Sequence, residues 1–206
     1  MDIPTVSARL RTAGLELFSG RDLSLLFPGT GRGLLNLQLH QWARRGWVRR
    51  LKRGLYELAF PEPSRIPDLA VANRLCSPSY VSLDTALSHY GMIPEFAAQV
   101  TSVTPGTTRR FANQYGVFTY FSVMPAAFRG YGLVTAGGRK VLMADPEKAV
   151  VDRLYAALRR GEKTGPLVER WDRRRIRGMD GRKLRGYARL FGGYSRRLAA
   201  EIRALA

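Results

Sequence analysis

Apolar residues recur at helical spacing from Val6 to Arg45 and then give way to a short stretch of β-branched and aromatic residues, so the first sixty positions read as helices followed by a hairpin. A short helix is predicted from about Val6 to Ala13. A second begins in "SGRDLSLLF", where Ser19 takes the N-cap position and Asp22 the third helical position, a variant of the capping box, and it stops at Phe27-Pro28-Gly29. A third, capped by Thr30, runs to Arg45 and sets Leu35, Leu39 and Trp42 on one stripe that packs on the first two. Gly46 stands where a helix C′ glycine belongs, behind two arginines whose charge suits the negative end of the helix dipole. Strands are predicted over 47–52 and 55–60, joined at Arg53-Gly54, where glycine supplies the positive φ of a tight turn. Alternation is imperfect on both, so only the base of this hairpin is expected to reach a core while its tip projects.

"FPEPSRIP", Phe60 to Pro67, holds three prolines in eight positions and reads as a linker. The expected division is residues 1–60, a linker at 61–67, and a second domain over 68–206. In that domain "IPDLAVANRL" predicts a helix, and "SYVSLDTALSHYGMIP" predicts another from Ser82, ended by Gly91 and Pro94. "QVTSVTP", "RRFAN", "GVFTYFSV", "GLVTA" and "RKVLMA" read as short strands of a small antiparallel sheet. "ADPEKAVVDRLYAALRRG" opens a helix with Asp145 as N-cap and Pro146 at the first helical position, and two basic helices split at Gly192-Gly193 close the chain. The expected fold class is α+β.

Charge narrows the partner. The chain carries 34 Lys+Arg against 16 Asp+Glu, a net charge of +18, with 45% hydrophobic residues, so it can build a core and still attract polyanions. The excess is uneven: both ends are strongly basic, and the segment 61–147 is close to neutral. No apolar run reaches the roughly 18 residues of a membrane span, and the N-terminus lacks the apolar stretch of a signal peptide, so a soluble, cytoplasmic protein without membrane contact is expected. Cys76, the single cysteine, has only His40 and His89 for company, which offers no metal-ligand cluster, and it reads as a small buried residue. "GTGRG" and "TAGGRK" lack the spacing of a phosphate loop and read as turns, so no cofactor is expected.

Helix, short helix, turn, longer helix and basic hairpin is the order of a winged helix-turn-helix, whose third helix enters the major groove while the wing holds neighbouring phosphates. The predicted contact set is Thr30, Arg32, Asn36, His40 and Arg44 from the third helix, and Arg49, Arg50, Lys52 and Arg53 from the hairpin. Arg32 can fork onto guanine and Asn36 can pair with adenine, whereas the hairpin cations read as backbone contacts without sequence information. A second basic surface is expected at Arg173, Arg174, Arg175, Arg177, Arg182, Lys183 and Arg185, once Leu184, Tyr187 and Leu190 turn to the core; a merely solvated face is the alternative. Asp84, Asp145, Glu147, Lys148 and Asp152 are the only clustered acids and bases outside the basic runs. Asp145 reads as a cap, Glu147 and Lys148 as an exposed first turn, and Asp152 as a partner of Lys148 one turn away, so no enzymatic site is expected.

Three segments in this order and spacing, "RLKRGLYEL", "SPSYVSLDTALSHYGMIPE" and "ADPEKAVVDRLY", resemble the AbiEi family of antitoxins from bacterial type IV toxin-antitoxin systems, over nearly the whole chain. The resemblance implies an N-terminal winged helix that represses its own operon through inverted repeats in double-stranded DNA. It also implies a C-terminal domain that counteracts a nucleotidyltransferase-like toxin encoded beside it, in many relatives without a stable complex. Two other readings remain open: an RNA-binding module using the basic C-terminal third, and an antitoxin acting by direct protein binding.

Overall fold

A computed structural model describes residues 1–94 and 98–205. The last residue of the quoted segment ending at Glu95 thus lies outside the described residues. The protein mixes helix and sheet and divides into two compact units, Met1–Ile66 with Ala112–Gln114, and Pro67–Phe111 with Tyr115–Ala206.

In the first unit, α1 (Ile3–Thr12) starts earlier than the periodicity predicts, because the Asp2 carboxylate accepts the backbone N–H of Thr5 and so caps the helix ahead of its first apolar turn. α2 (Gly20–Leu26) opens with the expected reciprocal pair: Ser19 Oγ accepts from Asp22 N, and Asp22 Oδ2 accepts from Ser19 N at 2.7 Å. α3 spans Arg32–Arg44. The hairpin is β2 (Val48–Lys52) and β3 (Leu55–Leu58), and a two-residue strand too short to show a period, β1 (Leu17–Phe18), pairs with β3 to give an antiparallel sheet of order β1-β3-β2. Leu10, Phe18, Leu35, Leu39 and Trp42 meet in one core between helices and sheet.

The imperfect alternation of the hairpin has a local cause. Arg50 stands opposite Tyr56 and Lys52 opposite Leu55, so the register shifts and Leu51 is an extra residue in β2. This bulge lets Val48 and Leu51, three apart, both be buried.

The second unit corrects the expected small antiparallel sheet. It holds one six-stranded sheet of order β6-β7-β5-β4-β9-β8, formed by β4 (Tyr80–Val81), β5 (Val100–Thr104), β6 (Arg109–Asn113), β7 (Gly116–Ser122), β8 (Tyr131–Ala136) and β9 (Arg139–Ala144). The pairs β4–β9 and β5–β7 are parallel, while β4–β5 and β8–β9 are antiparallel. Local strand patterns do not carry this information, because parallel neighbours are joined by long crossovers. α4 (Asp68–Leu75) and α5 (Leu83–His89) flank β4, and α6 (Pro146–Arg160), capped by Asp145 and closed by Gly161 at φ 71°, supplies most of the helical core. Four further helices end the chain: α7 (Gly165–Val168), α8 (Arg173–Arg177), α9 (Gly181–Arg189) and α10 (Ser195–Ala204). Among the described residues no helix is long and apolar enough to cross a membrane.

Two expectations for α6 change with burial. Lys148 is fully buried and Glu147 nearly so, where an exposed first turn is predicted, yet the pairing of Lys148 with Asp152 holds. Asp152 Oδ2 also accepts from Tyr80 Oη at 3.0 Å and from Ser82 Oγ at 2.8 Å, and the Lys148 ammonium stands 4.9 Å from the centre of the Phe191 ring. Burial pushes the Asp152 carboxyl up, against the ammonium and the two hydroxyls, which pull it down. Ser82, spent on Asp152, makes no side-chain cap for α5, and the next residue, Leu83, is buried at φ 58°, a left-handed backbone that a leucine holds only against strain. Thr101 Oγ1 pins this corner by donating to Ser82 O at 2.7 Å and accepting from Thr85 N at 3.1 Å. Cys76 is half-buried rather than buried, with its Sγ 3.9 Å from Thr104 Oγ1.

Candidate nucleic-acid interface

α3 forms because Leu35, Leu39 and Trp42 give it an apolar stripe, all three nearly inaccessible. At about 100° per residue these three lie within one narrow arc, and the opposite arc carries Gly33, Leu37, His40, Gln41 and Arg44, all exposed. Arg32 and Asn36 are exposed on one flank of that arc and Leu34 on the other.

Thr30 does not cap α3. Its backbone N–H donates to Phe27 O at 3.0 Å, closing the preceding turn, and this advances the cap to Gly31, which has no side chain to offer. Arg32, Asn36, His40 and Arg44 are presented to solvent, with His40 and Arg44 nearer the middle of the outward face than Asn36. Leu37 shares that middle with Arg44, and Gln41 lies to one side. Sequence reading passes over Leu37 because it assigns apolar positions to the core, and the signal that finds it is its place opposite the buried stripe.

Arg49 and Arg53 are exposed on the hairpin and enter no ion pair among the described residues. Arg50 is exposed too, with its Nε 3.4 Å from Lys52 O, and Lys52 is half-buried. Gly54 adopts φ 78° at the turn, as the tight reversal requires. Other arginines of this unit serve its own structure: Arg9 and Arg11 donate to the carbonyls of Leu26 and Phe60, and Arg45 stacks on Trp47 with its guanidinium 4.8 Å from the ring centre.

The seven cations of the expected second basic surface differ in their partners. All seven side chains are exposed, but Arg175 donates to Tyr90 O at 3.1 Å and pairs with Asp172, and Lys183 reaches Glu147 at 3.8 Å. Arg173 and Arg177 instead line a cavity of about 330 Å³ beside Trp171 and Glu201, and Arg177 and Arg185 line a neighbouring one of about 350 Å³. Arg174 and Arg182 are exposed without an ion-pair partner among the described residues. Leu184 turns inward as expected, while Tyr187 and Leu190 are only half-buried, Tyr187 donating to Asp145 Oδ2 at 2.5 Å.

The clustered acids are committed to structure. Asp145 accepts from Lys148 N, Glu147 accepts from Asp180 N at 3.2 Å, and Asp84 pairs with Arg153 at 2.9 Å. Among the described residues no group of three His, Cys, Asp or Glu side chains could hold a metal ion. No protein-family model matches the chain, and no curated protein matches it at a significant level.

Proposed function

We propose that the chain is a sequence-specific DNA-binding repressor whose first unit is a winged helix-turn-helix, with α3 in the major groove and the β2–β3 hairpin as the wing on the phosphates. The observation that carries this reading is the pairing, within one small unit, of a helix with a fully exposed face and a hairpin whose arginines have no acidic partner among the described residues. Cations left unpaired in this way keep their full attraction for a polyanion, and their binding releases counterions.

The resemblance to AbiEi antitoxins extends the proposal to the second unit, which counteracts a nucleotidyltransferase-like toxin. Two of the three segments that carry the resemblance meet at Asp152, one bringing Tyr80 and Ser82 and the other Lys148, so their unusual residues make one buried polar cluster. A gel shift of the full chain on the DNA upstream of its own gene, with tRNA as competitor, tests the DNA half. Retention of a discrete complex in excess tRNA is expected. Transfer of the protein to tRNA would replace the reading with an RNA-binding one.

A further inference from the structure

On α3, Leu37 is 52% exposed and Leu34 is 48% exposed, two neighbouring leucines on a helix whose other exposed side chains, Arg32, Asn36, His40, Gln41 and Arg44, are polar. Leu37 is central to the outward face. Gly33, one turn before it, has open space around the position a Cβ would take, so nothing on that side holds a partner surface away from the helix. Arg44 lies two turns after it on the same face, and Arg32 stands on the flank. An apolar side chain on a helix that also presents Arg32 and Arg44 is a poor seat for a second copy of the chain, since pairing two such faces sets like charges against each other. It is a good seat for a polyanion that also carries apolar groups. Duplex DNA is such a partner: its phosphates meet the arginines, and the 5-methyl group of thymine is the one apolar feature on the floor of the major groove.

We infer that Leu37 is a specificity-determining residue that reads a thymine methyl group, with Leu34 beside it as a secondary contact, so that the bound site contains thymine opposite the middle of α3. This rests on the reading of α3 as the helix that enters the major groove. It differs from Arg32 and Asn36 in mechanism, because an apolar contact selects by excluding water from the methyl and makes no hydrogen bond.

Selection of the full chain on a random duplex library yields the preferred site, and each thymine of that site is then replaced singly by deoxyuridine, which deletes the methyl and nothing else. At one or two positions the affinity is expected to fall about fourfold, the equivalent of one buried methyl group. Leu37→Ala should lose a similar factor on the thymine site and show no further loss on the deoxyuridine site, as a shared contact requires. Its melting temperature should be unchanged, since the side chain is outside the core. A flat deoxyuridine scan, or a Leu37→Ala protein that keeps the full deoxyuridine penalty, overturns the inference while leaving DNA binding intact. A library that yields no enriched duplex overturns both. Light scattering that shows a dimer dissociated by Leu37→Ala would assign the leucine to a second copy of the chain and overturn it as well.

Discussion

Tyr80 and Asp152, 72 positions apart, are joined by a hydrogen bond of 3.0 Å in the interior of the second unit, where the same carboxylate holds the buried ammonium of Lys148. Removing one partner of such a pair strands the other charge away from water. Asp152→Ala is therefore expected to cost about 3–5 kcal/mol, and Tyr80→Phe, which deletes one hydroxyl donor, about 2 kcal/mol. Urea denaturation measures both. Equal costs for the two variants would mean that the Lys148 ammonium finds water once the carboxylate is gone.

The hairpin cations should act together and without regard to sequence. Replacing Arg50, Lys52 and Arg53 by alanine is expected to weaken specific and non-specific duplexes by similar factors and to make the dependence of log K on log salt shallower by about one unit per lost phosphate contact. Titrations at several salt concentrations give the slope. Unchanged binding would remove the hairpin from the interface.

Arg32 and Asn36 should behave differently. Each alanine substitution is expected to cost about 1–3 kcal/mol at the preferred site and to relax selection at a single base position. Both lie on one flank of the outward face, Arg32 farther from its middle than Asn36, so the smaller of the two effects is expected at Arg32. If both variants rank operator mutants as the parent does, those two residues do not read bases.

If the second unit counteracts a toxin as proposed, reversal of the arginines that are not tied to Tyr90 or Asp172, as in Arg173→Glu with Arg174→Glu and Arg177→Glu, is expected to spare operator affinity and abolish that protection. Gel shift and co-expression with the toxin report the two properties separately. A fall in operator affinity would instead put these side chains on the same DNA.

Asp180 caps α9 by accepting the backbone N–H groups of Arg182 and Lys183, and these hold its carboxyl below the ordinary carboxylate range. Its contribution is thus complete above the unfolded value, near about 4, and is lost as pH falls through the lower folded value. The amide resonances of Arg182 and Lys183 should titrate in that acid window. Asp180→Asn should keep the helix start and remove the titration.

How much of this was legible beforehand depends on the range of the interaction. The Ser19–Asp22 box, the Asp145 cap and the Gly46 terminus of α3 are settled by residues a few positions apart, and all three are readable. β1 and β4 have two residues each, too few to show a period, and they exist because β3 and β5 pair with them. Lys148 looks solvated on any charge scale, and only Asp152, Tyr80 and Phe191 together make its burial tolerable. In the candidate interface the hairpin arginines announce themselves by charge. Thr30 misleads because a backbone hydrogen bond three residues back decides the cap, and Leu37 is hidden because leucine is the residue that periodicity assigns to a core.

The position of β2 at one side of the order β1-β3-β2 has a consequence for the chain when no nucleic acid is bound. The outer side of an edge strand offers backbone donors and acceptors to any other extended chain, here apart from Leu51 O, which accepts from Asn113, and proteins commonly guard such an edge with charge and with bulges. β2 has both, in Arg49, Arg50 and the register break at Leu51. The side chains proposed to grip phosphate are then also what keeps one molecule from extending its sheet into the next, and neutralising them risks self-association as well as lost affinity.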